Sequence, residues 1–398
     1  MKLAFITNSL GMGGAEKLSA QWIEQFSKTQ NLEVYLLENE SWYSIPPSIK
    51  TTIFTQFTRK TFILFKLLAL PVTMFRLFFK LRKQNPDVVV SALELSNIVT
   101  LVIAKCLLRK KVILWIHTNP IEQYKGGLFN KFITFVIRYG YKKADSIVVI
   151  TSRVKDILHT QFKIPSTKII HVNNAHLIKQ YQINAKEKIS VSDKKLFSAG
   201  INLVTVGRSN NAKGHWHLVR AFSIVSKQIP NVKLYIIGEG ELLDQTKQLA
   251  KNLELSNILF LGNKKNPLPY VAEADYFILS SLWEGMPNTL IEALAIGITP
   301  ISTNCKTGPS ELLAQNELIN KYPYYGINGI LTTPFAVDQP NFGLEITEEE
   351  KIYAKELISI LKSNKRYGSA VLKKRAMDFD TKNIYPQWND LLKNTKSL

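Results

Sequence analysis

Short apolar runs alternate along the whole chain with longer stretches in which apolar side chains recur at helical spacing. In the first half the runs fall at Lys2–Thr7, Glu33–Leu37, Val88–Ser91, Lys111–His117, Ser146–Thr151 and Lys168–Val172. In the second half they fall at Ile201–Val206, Lys233–Ile237, Ile258–Leu261, Tyr276–Leu279 and Thr299–Ser302. This rhythm predicts an α/β chain of two Rossmann-like, doubly wound domains, each a parallel sheet flanked by helices, with a cleft between them. A polar stretch of alternating Lys, Ser and Asp reads as the linker, so the expected division is 1–183, a linker over 184–198, 199–376, and a C-terminal helix over 377–398. The segment around Ile319–Gly343, rich in Tyr, Pro, Gly and Asn, reads as an insertion. From Thr347 onward the pattern is helical and charged. No short fixed repeat is visible, which excludes a solenoid.

A length of 398 residues agrees with two domains, and 45% hydrophobic content is ample for packed cores. Cys106 and Cys305 stand far apart, which argues against a disulfide framework and for a reducing compartment. The N-terminal run lacks the long apolar core and cleavage site of a secretory signal, so a cytoplasmic location is expected. Net charge is +20, and it is concentrated: residues 1–180 hold 25 basic and 10 acidic side chains, residues 181–398 hold 26 and 21. Such asymmetry predicts an anionic surface as partner.

The segment Thr58–Lys83 carries seven basic residues and no acidic one. Its longest uncharged run, Leu67–Phe75, is half of what a spanning helix needs and contains Pro71. Clusters of Phe and Leu bracketed by Lys and Arg instead fit a helix lying in a membrane interface, on the cytosolic face. A core helix whose basic stems cover apolar surface is the competing reading. Nucleic acid is not expected as a partner, because no helix-turn-helix, zinc finger or RNP-type strand occurs.

Candidate chemistry lies where strands give way to helices. Gly11-Met12-Gly13-Gly14-Ala15-Glu16 follows the first strand, with glycines that let backbone approach a ligand and a helix whose N–H groups face it. It lacks dinucleotide-fingerprint spacing, and no P-loop occurs. Gly207-Arg208 through Lys213-Gly214 follows the first strand of the second half, where the Arg fork and the Lys point charge could reach one diphosphate. Glu284 ends the run Tyr276–Leu279, while Glu292, eight positions on, sits about two turns into a helix expected to be capped by Asn288 or Thr289. One carboxylate at a strand end and one on the following helix make a seat for a sugar nucleotide. Two decoys are set aside: Asp378-Phe379-Asp380 has an Asp-x-Asp form but lies far past these strands, and His215-Trp216-His217 places its imidazoles on different helix faces.

Taken in order, Gly207-Arg208, Lys213-Gly214, Gly238-Glu239-Gly240, Phe260-Leu261-Gly262, Glu284 to Glu292, and Gly308-Pro309-Ser310-Glu311 resemble the retaining glycosyltransferases of the GT4 type, with the GT-B fold. Gly13-Gly14 and Trp115-Ile116-His117 match less specifically. The resemblance implies that Arg208 and Lys213 neutralise the donor diphosphate as it leaves, without a metal or other cofactor. It implies that Glu284 binds the donor sugar and Glu292 the ribose, that the backbone of Asn288, Thr289 and Leu290 holds the distal phosphate with Gly285 also in the donor site, that Gly13 and Gly14 allow donor and acceptor to meet at the domain cleft, and that His117 touches the transferred sugar. The C-terminal helix would cross back to the first domain. The implied activity is transfer of a hexose or N-acetylhexosamine, from UDP-sugars in preference with GDP-mannose open, to a lipid-linked or growing glycan in bacterial surface-polysaccharide synthesis. A two-carboxylate hydrolase, a GT-B sugar-nucleotide epimerase and a membrane-bound scaffold without activity are the alternatives.

Overall fold

Strands buried on both faces need helices to cover them, and the chain supplies one between most pairs of strands. The computed structural model describes residues 1–397 apart from 59, 124–126, 198–199, 316 and 318, and not the side chains of 128 and 129. Arg59 of the basic segment and Ser198 at the end of the expected linker therefore lie outside the described residues. The chain divides into two units, Met1–Ala175 with Lys382–Leu398, and His176–Thr381.

In the first unit β1 (Lys2–Thr7), β2 (Asn31–Leu36), β3 (Lys50–Ile53), β4 (Val88–Ala92), β5 (Lys111–Ile116), β6 (Ser146–Val149) and β7 (Ile169–His171) form one parallel sheet. Their order is β3-β2-β1-β4-β5-β6-β7, so the winding reverses between β1 and β4. The helices are α1 (Gly14–Ser27), α2 (Ile63–Gln84), α3 (Glu94–Thr100) continued by π-helical turns Leu101–Leu107, α4 (Pro120–Gln123), α5 (Leu128–Gly140) and α6 (Ser152–Thr160). Right-handed crossovers place α1 on one face and α2, the α3 segment, α5 and α6 on the other. That second face shares one core containing Leu77, Leu81, Leu101, Ile103, Ile133, Ile137, Val154 and Leu158. Helix α2 runs unbroken through Pro71, so the proline that falls within the uncharged run does not end the helix.

In the second unit β8 (Ile201–Val206), β9 (Val232–Ile237), β10 (Ile258–Gly262), β11 (Tyr276–Leu279), β12 (Thr299–Thr303), β13 (Tyr324–Tyr325) and β14 (Ile330–Thr332) take the order β10-β9-β8-β11-β12-β14-β13. Only β13 is antiparallel among these described strands. The helices are α7 (Ile178–Asn184), α8 (Val191–Leu196), α9 (His215–Gln228), α10 (Leu243–Asn252), α11 (Leu268–Ala272), α12 (Asn288–Ile296), α13 (Pro309–Leu313), α14 (Glu348–Ser363) and α15 (Ser369–Met377). The last helix, α16 (Thr381–Ser397), returns to the first unit, where Trp388 meets Trp22 at 5.5 Å and Trp115 at 5.0 Å between ring centroids.

The stretch expected to be a linker is part of the second unit. It contains α8, whose Asp193 accepts from Tyr270 Oη at 2.6 Å and Lys264 Nζ at 3.2 Å, and whose Leu196 carbonyl accepts from Lys233 Nζ at 2.9 Å. Asp193 thus ties it to α11 and the loop before it, and the Leu196 carbonyl ties it to β9. The expected insertion likewise contributes β13 and β14 to the sheet, through pairs too short to give a strand pattern.

Candidate functional site

The winding of the second sheet reverses between β8 and β11, and a reversal opens a crevice at the carboxyl ends of those two strands. The loops after both strands meet there: Leu282 N donates to Ala212 O at 2.8 Å, and Ser280 Oγ donates to Lys213 O at 2.8 Å. Gly214 turns the first loop with φ of 57°, and a Cβ there would come 2.7 Å from Ser280 O. The backbones could not approach so closely around any other residue.

This approach delivers Lys213 to Glu284. Lys213 Nζ lies 2.5 Å from Glu284 Oε1, and Ser281 Oγ donates to the same oxygen at 2.6 Å. Both ionic side chains are mostly buried, at 17% and 13% exposure, so their attraction is little screened. Thr307 Oγ1 donates to the Glu284 carbonyl, fixing the turn from the loop after β12. The aliphatic stem of Lys213 passes over Gly207, where a Cβ would meet its Cε at 3.1 Å.

Arg208 sits apart from this pair. Its Nη2 pairs with Glu241 Oε2 at 3.0 Å, and the side chain is 43% exposed. The turn Gly238–Gly240 lies against the same loop, with Ser209 N donating to Glu239 O at 2.9 Å, and Cβ atoms at Gly238 and Gly240 would collide with the Gly207 and Ser209 carbonyls. Asn210 Oδ1 and Asn211 Oδ1, in the segment between Arg208 and Lys213, are buried and unpartnered among the described residues.

Gly285 leads into α12. The helix begins at Asn288 with Pro287 at its N-cap, so neither Asn288 nor Thr289 stands at the cap as expected, and Pro287 brings no capping side chain. Pro287 has φ of −74°, already close to helical, so the helix can start directly behind it. An N-terminus without a side-chain cap keeps its positive end available for an anion. Thr289 Oγ1 is buried with no partner among the described residues, and Leu290 is fully buried with its N–H on Pro287 O at 3.0 Å. Glu292 follows, little more than one turn into the helix and 7% exposed. Gly308 packs on this turn with φ of 91°, and a Cβ there would come 2.6 Å from Gly285 O.

Two buried groups border this centre. His215 Nδ1 is 3.4 Å from Ser209 Oγ, and burial, then Lys213, lower its pKa to about 3. Cys305 has its thiol pKa pushed up by burial and by Glu284. The decoys are otherwise engaged: Asp378 accepts from Arg375 at 2.8 Å, and His217 binds Glu350 at 2.5 Å in a core network with Arg220.

The remaining predicted residues belong to the first unit. Gly13 and Gly14 begin α1 behind β1; Gly13 is extended, and a Cβ on it would run into Glu16 Oε2, because the buried Glu16 side chain folds back over it. His117 follows β5, is 7% exposed and stacks obliquely on Trp115 at 4.3 Å. Neither of its nitrogens has a partner among the described residues, and burial lowers its pKa to about 3, so it is neutral at ordinary pH.

The structure thus groups Lys213, Glu284, Gly285, Asn288, Thr289, Leu290 and Glu292 at one switch point, with Arg208 on its exposed margin. Sequence reasoning missed Ser281, Thr307 and Glu241. Only Ser281 carried a usable signal, the second of two hydroxyls after a buried strand and three residues ahead of Glu284.

Known proteins carry the same arrangement of sequence. Residues 188–362 match the family described as glycosyl transferases group 1, and residues 12–175 match glycosyltransferase family 4. An uncharacterized glycosyltransferase of Methanocaldococcus jannaschii is 37% identical over 333 residues, which cover 79% of this chain and 81% of the relative. A Campylobacter jejuni protein named as an N-acetylgalactosamine-N,N'-diacetylbacillosaminyl-diphospho-undecaprenol 4-alpha-N-acetylgalactosaminyltransferase is 29% identical, with 79% and 84% covered. Among solved structures, HepE of Anabaena in complex with UDP-glucose superposes with a TM-score of 0.73 at 17% identity, covering 99% of this chain and 100% of that one. The fold is that of the GT-B glycosyltransferases.

Proposed function

Because the chain belongs to the glycosyltransferases, with a family 4 first half and a group 1 second half, we propose that it is a retaining, metal-independent enzyme of surface-glycan synthesis. It moves a hexose or N-acetylhexosamine from a nucleoside-diphosphate sugar, UDP-linked in preference, to a lipid-linked or growing glycan. The observation that carries this is the 2.5 Å Lys213–Glu284 pair at the β8/β11 switch point, beside the uncapped start of α12. A lysine held at low exposure supplies positive charge where a diphosphate leaves, and the α12 N-terminus with Thr289 Oγ1 supplies donors for the distal phosphate. Glu284, oriented by Ser281 and Lys213, accepts hydrogen bonds from hydroxyls of the sugar, and Glu292 takes the ribose hydroxyls. Arg208 turns from Glu241 toward the diphosphate when the donor binds.

In the reaction the bond from the anomeric carbon to the diphosphate oxygen breaks, and its electron pair leaves with the diphosphate. The acceptor oxygen attacks from the same face, and its proton passes to the departing phosphate oxygen. This route needs no enzyme nucleophile and preserves the anomeric configuration. Neutral His117 can hydrogen-bond a sugar without adding charge.

The UDP preference draws on the HepE complex, and the lipid-linked acceptor on the name of the Campylobacter relative. A peripheral position on the cytosolic face of the membrane is part of the proposal, supported by α2: Leu64, Phe65, Leu68, Val72, Phe75 and Phe79 are exposed at helical spacing beside Lys80, Arg82 and Lys83. No helix among the described residues is long and apolar enough to cross a membrane.

Purified protein incubated with a panel of nucleotide sugars, with and without a polyprenyl-diphosphate acceptor, tests the proposal. Acceptor-dependent release of nucleoside diphosphate that persists in EDTA, with an α-linked product from an α-linked donor, is expected. An epimerised donor, or no turnover with any donor, would overturn it in favour of an epimerase or a scaffold.

A further inference from the structure

The face of the first sheet that carries α2 presents a second apolar stripe that the sequence pattern did not single out. On α5, Ile133 and Ile137 are buried in the shared core while Phe132, Phe135 and Tyr139 point outward at 56%, 59% and 54% exposure. The spacing of the exposed positions repeats that of α2, and so does their packing. Phe135 and Tyr139 pair at 4.7 Å between centroids, as do Phe75 and Phe79 on α2. Each helix thus holds an aromatic pair together on its solvent side, where packing against the protein core cannot account for it.

The two stripes lie on one side of the unit. Steps β3 to β4, β4 to β5 and β5 to β6 all advance the same way across the sheet, so their right-handed crossovers cover the same face. The π-helical turns Leu101–Leu107 pack between them: they contact α2 on one side and the turn after α5 on the other, and Leu107 is itself 59% exposed. Between Glu94 and Glu122, and again from Leu128 to Ala144, the sequence has no acidic residue, while it contributes Arg109, Lys110, Lys131, Arg138, Lys142 and Lys143. Apolar stripes on helices that carry cations and no acidic residue match an anionic bilayer, with aromatic rings at the acyl boundary and ammonium and guanidinium groups at lipid phosphates. A second copy of this equally basic chain would bring like charges together.

We propose that α5 is a second membrane-seated helix, and that α2, the Leu107 turn and α5 together lay the first unit flat on an anionic bilayer. The inference rests on the peripheral location proposed from α2 and adds a second, separately testable line of contact. Two lines fix rotation about the α2 axis, which one helix in an interface leaves free.

The test uses the full chain with Cys106→Ser, carrying an environment-sensitive fluorophore on Leu68→Cys or Phe135→Cys, and vesicles of phosphatidylglycerol with phosphatidylethanolamine against vesicles of phosphatidylcholine alone. Both labels are expected to shift to the blue and to be quenched by spin-labelled acyl chains in the anionic vesicles only. Quenching at position 68 with none at 135 would overturn the role of α5 and leave the α2 reading standing; quenching at neither would overturn both. A change at 135 without vesicles, accompanied by a concentration-dependent dimer in sedimentation, would assign the face to a second copy instead. In flotation, Phe132→Ser with Phe135→Ser is expected to lower vesicle binding by about tenfold while circular dichroism stays unchanged. Unchanged flotation would overturn the proposal. None of these readouts depends on turnover, so failure of the transferase reading would leave the result interpretable.

Discussion

Lys213 is the residue on which the candidate site turns, because its ammonium group touches Glu284 directly and its stem needs the bare Cα of Gly207 beneath it. Lys213→Ala is expected to lower kcat by about 10²–10³-fold, the cost of losing one preorganised partner for developing charge, with steady-state release of nucleoside diphosphate as the measurement. Glu284→Gln should act chiefly on kcat/KM for the donor, and an unchanged value would remove the proposed sugar contact. The buried histidines give a prediction in pH. His117 and His215 refuse a proton until about pH 3, whereas the unfolded chain takes one near pH 6.5. Between these values the unfolded state binds more protons, so stability present above about pH 6.5 is lost as pH falls. Urea unfolding across that window should show the slope, and His117→Asn with His215→Asn should flatten it. At this scale the sequence was informative about Lys213, Glu284 and the glycines, whose types are rare in their settings. It was silent about Arg208 pairing with Glu241 and Glu16 folding over Gly13, because both depend on rotamers chosen by neighbours distant from the motif.

Elements were legible in proportion to how much of their pattern is hydrophobic. The central strands β1, β4, β5, β8, β9 and β11 stand out because burial on both faces leaves them predominantly apolar. Strand β3, Lys-Thr-Thr-Ile at the sheet edge and mostly exposed, has no such run, and β13 with β14 are too short to alternate. The stretch around α8 misled for the opposite reason: it reads as solvated, yet Asp193 closes onto Tyr270 and Lys264 and the Leu196 carbonyl onto Lys233. The start of α12 shows how one residue changes an element's chemistry, since Pro287 in place of a Ser or Asp leaves the first turn without a side-chain cap. Pro287→Ser, by giving that turn an internal acceptor, should weaken nucleoside-diphosphate binding in calorimetry while raising the melting temperature slightly. Away from the site, Glu350 accepts from Arg220 and His217 in a network that ties α9 to α14, with Arg220 also donating to Asn341 O at 2.6 Å. Arg220→Ala leaves that carboxylate buried without its main partner and should cost about 3–5 kcal/mol in chemical denaturation.

At the scale of the molecule, two units of like architecture differ in how they are assembled from sequence. The second is one continuous stretch, His176–Thr381, whereas the first is built from Met1–Ala175 and the final helix. Helix α16 covers the α1 face of the first sheet, where Trp388 completes an aromatic cluster with Trp22, Phe26, Trp115 and Tyr385. Trp388→Ala should destabilise by about 3–5 kcal/mol, and the loss should fall on the first unit, as read by hydrogen exchange unit by unit. The return of the terminal helix was expected from family resemblance alone, because an amphipathic helix of this length carries no address for the surface it will cover. Its placement has a consequence during synthesis. A ribosome releases the whole of the second unit before Trp388 emerges, so the half that is made first must wait, with that side of its sheet covered by α1 alone, until α16 has been made. Refolding from denaturant imposes no such delay, and a chain stopped before α16 should be held by chaperones through its N-terminal half while its C-terminal half is already native.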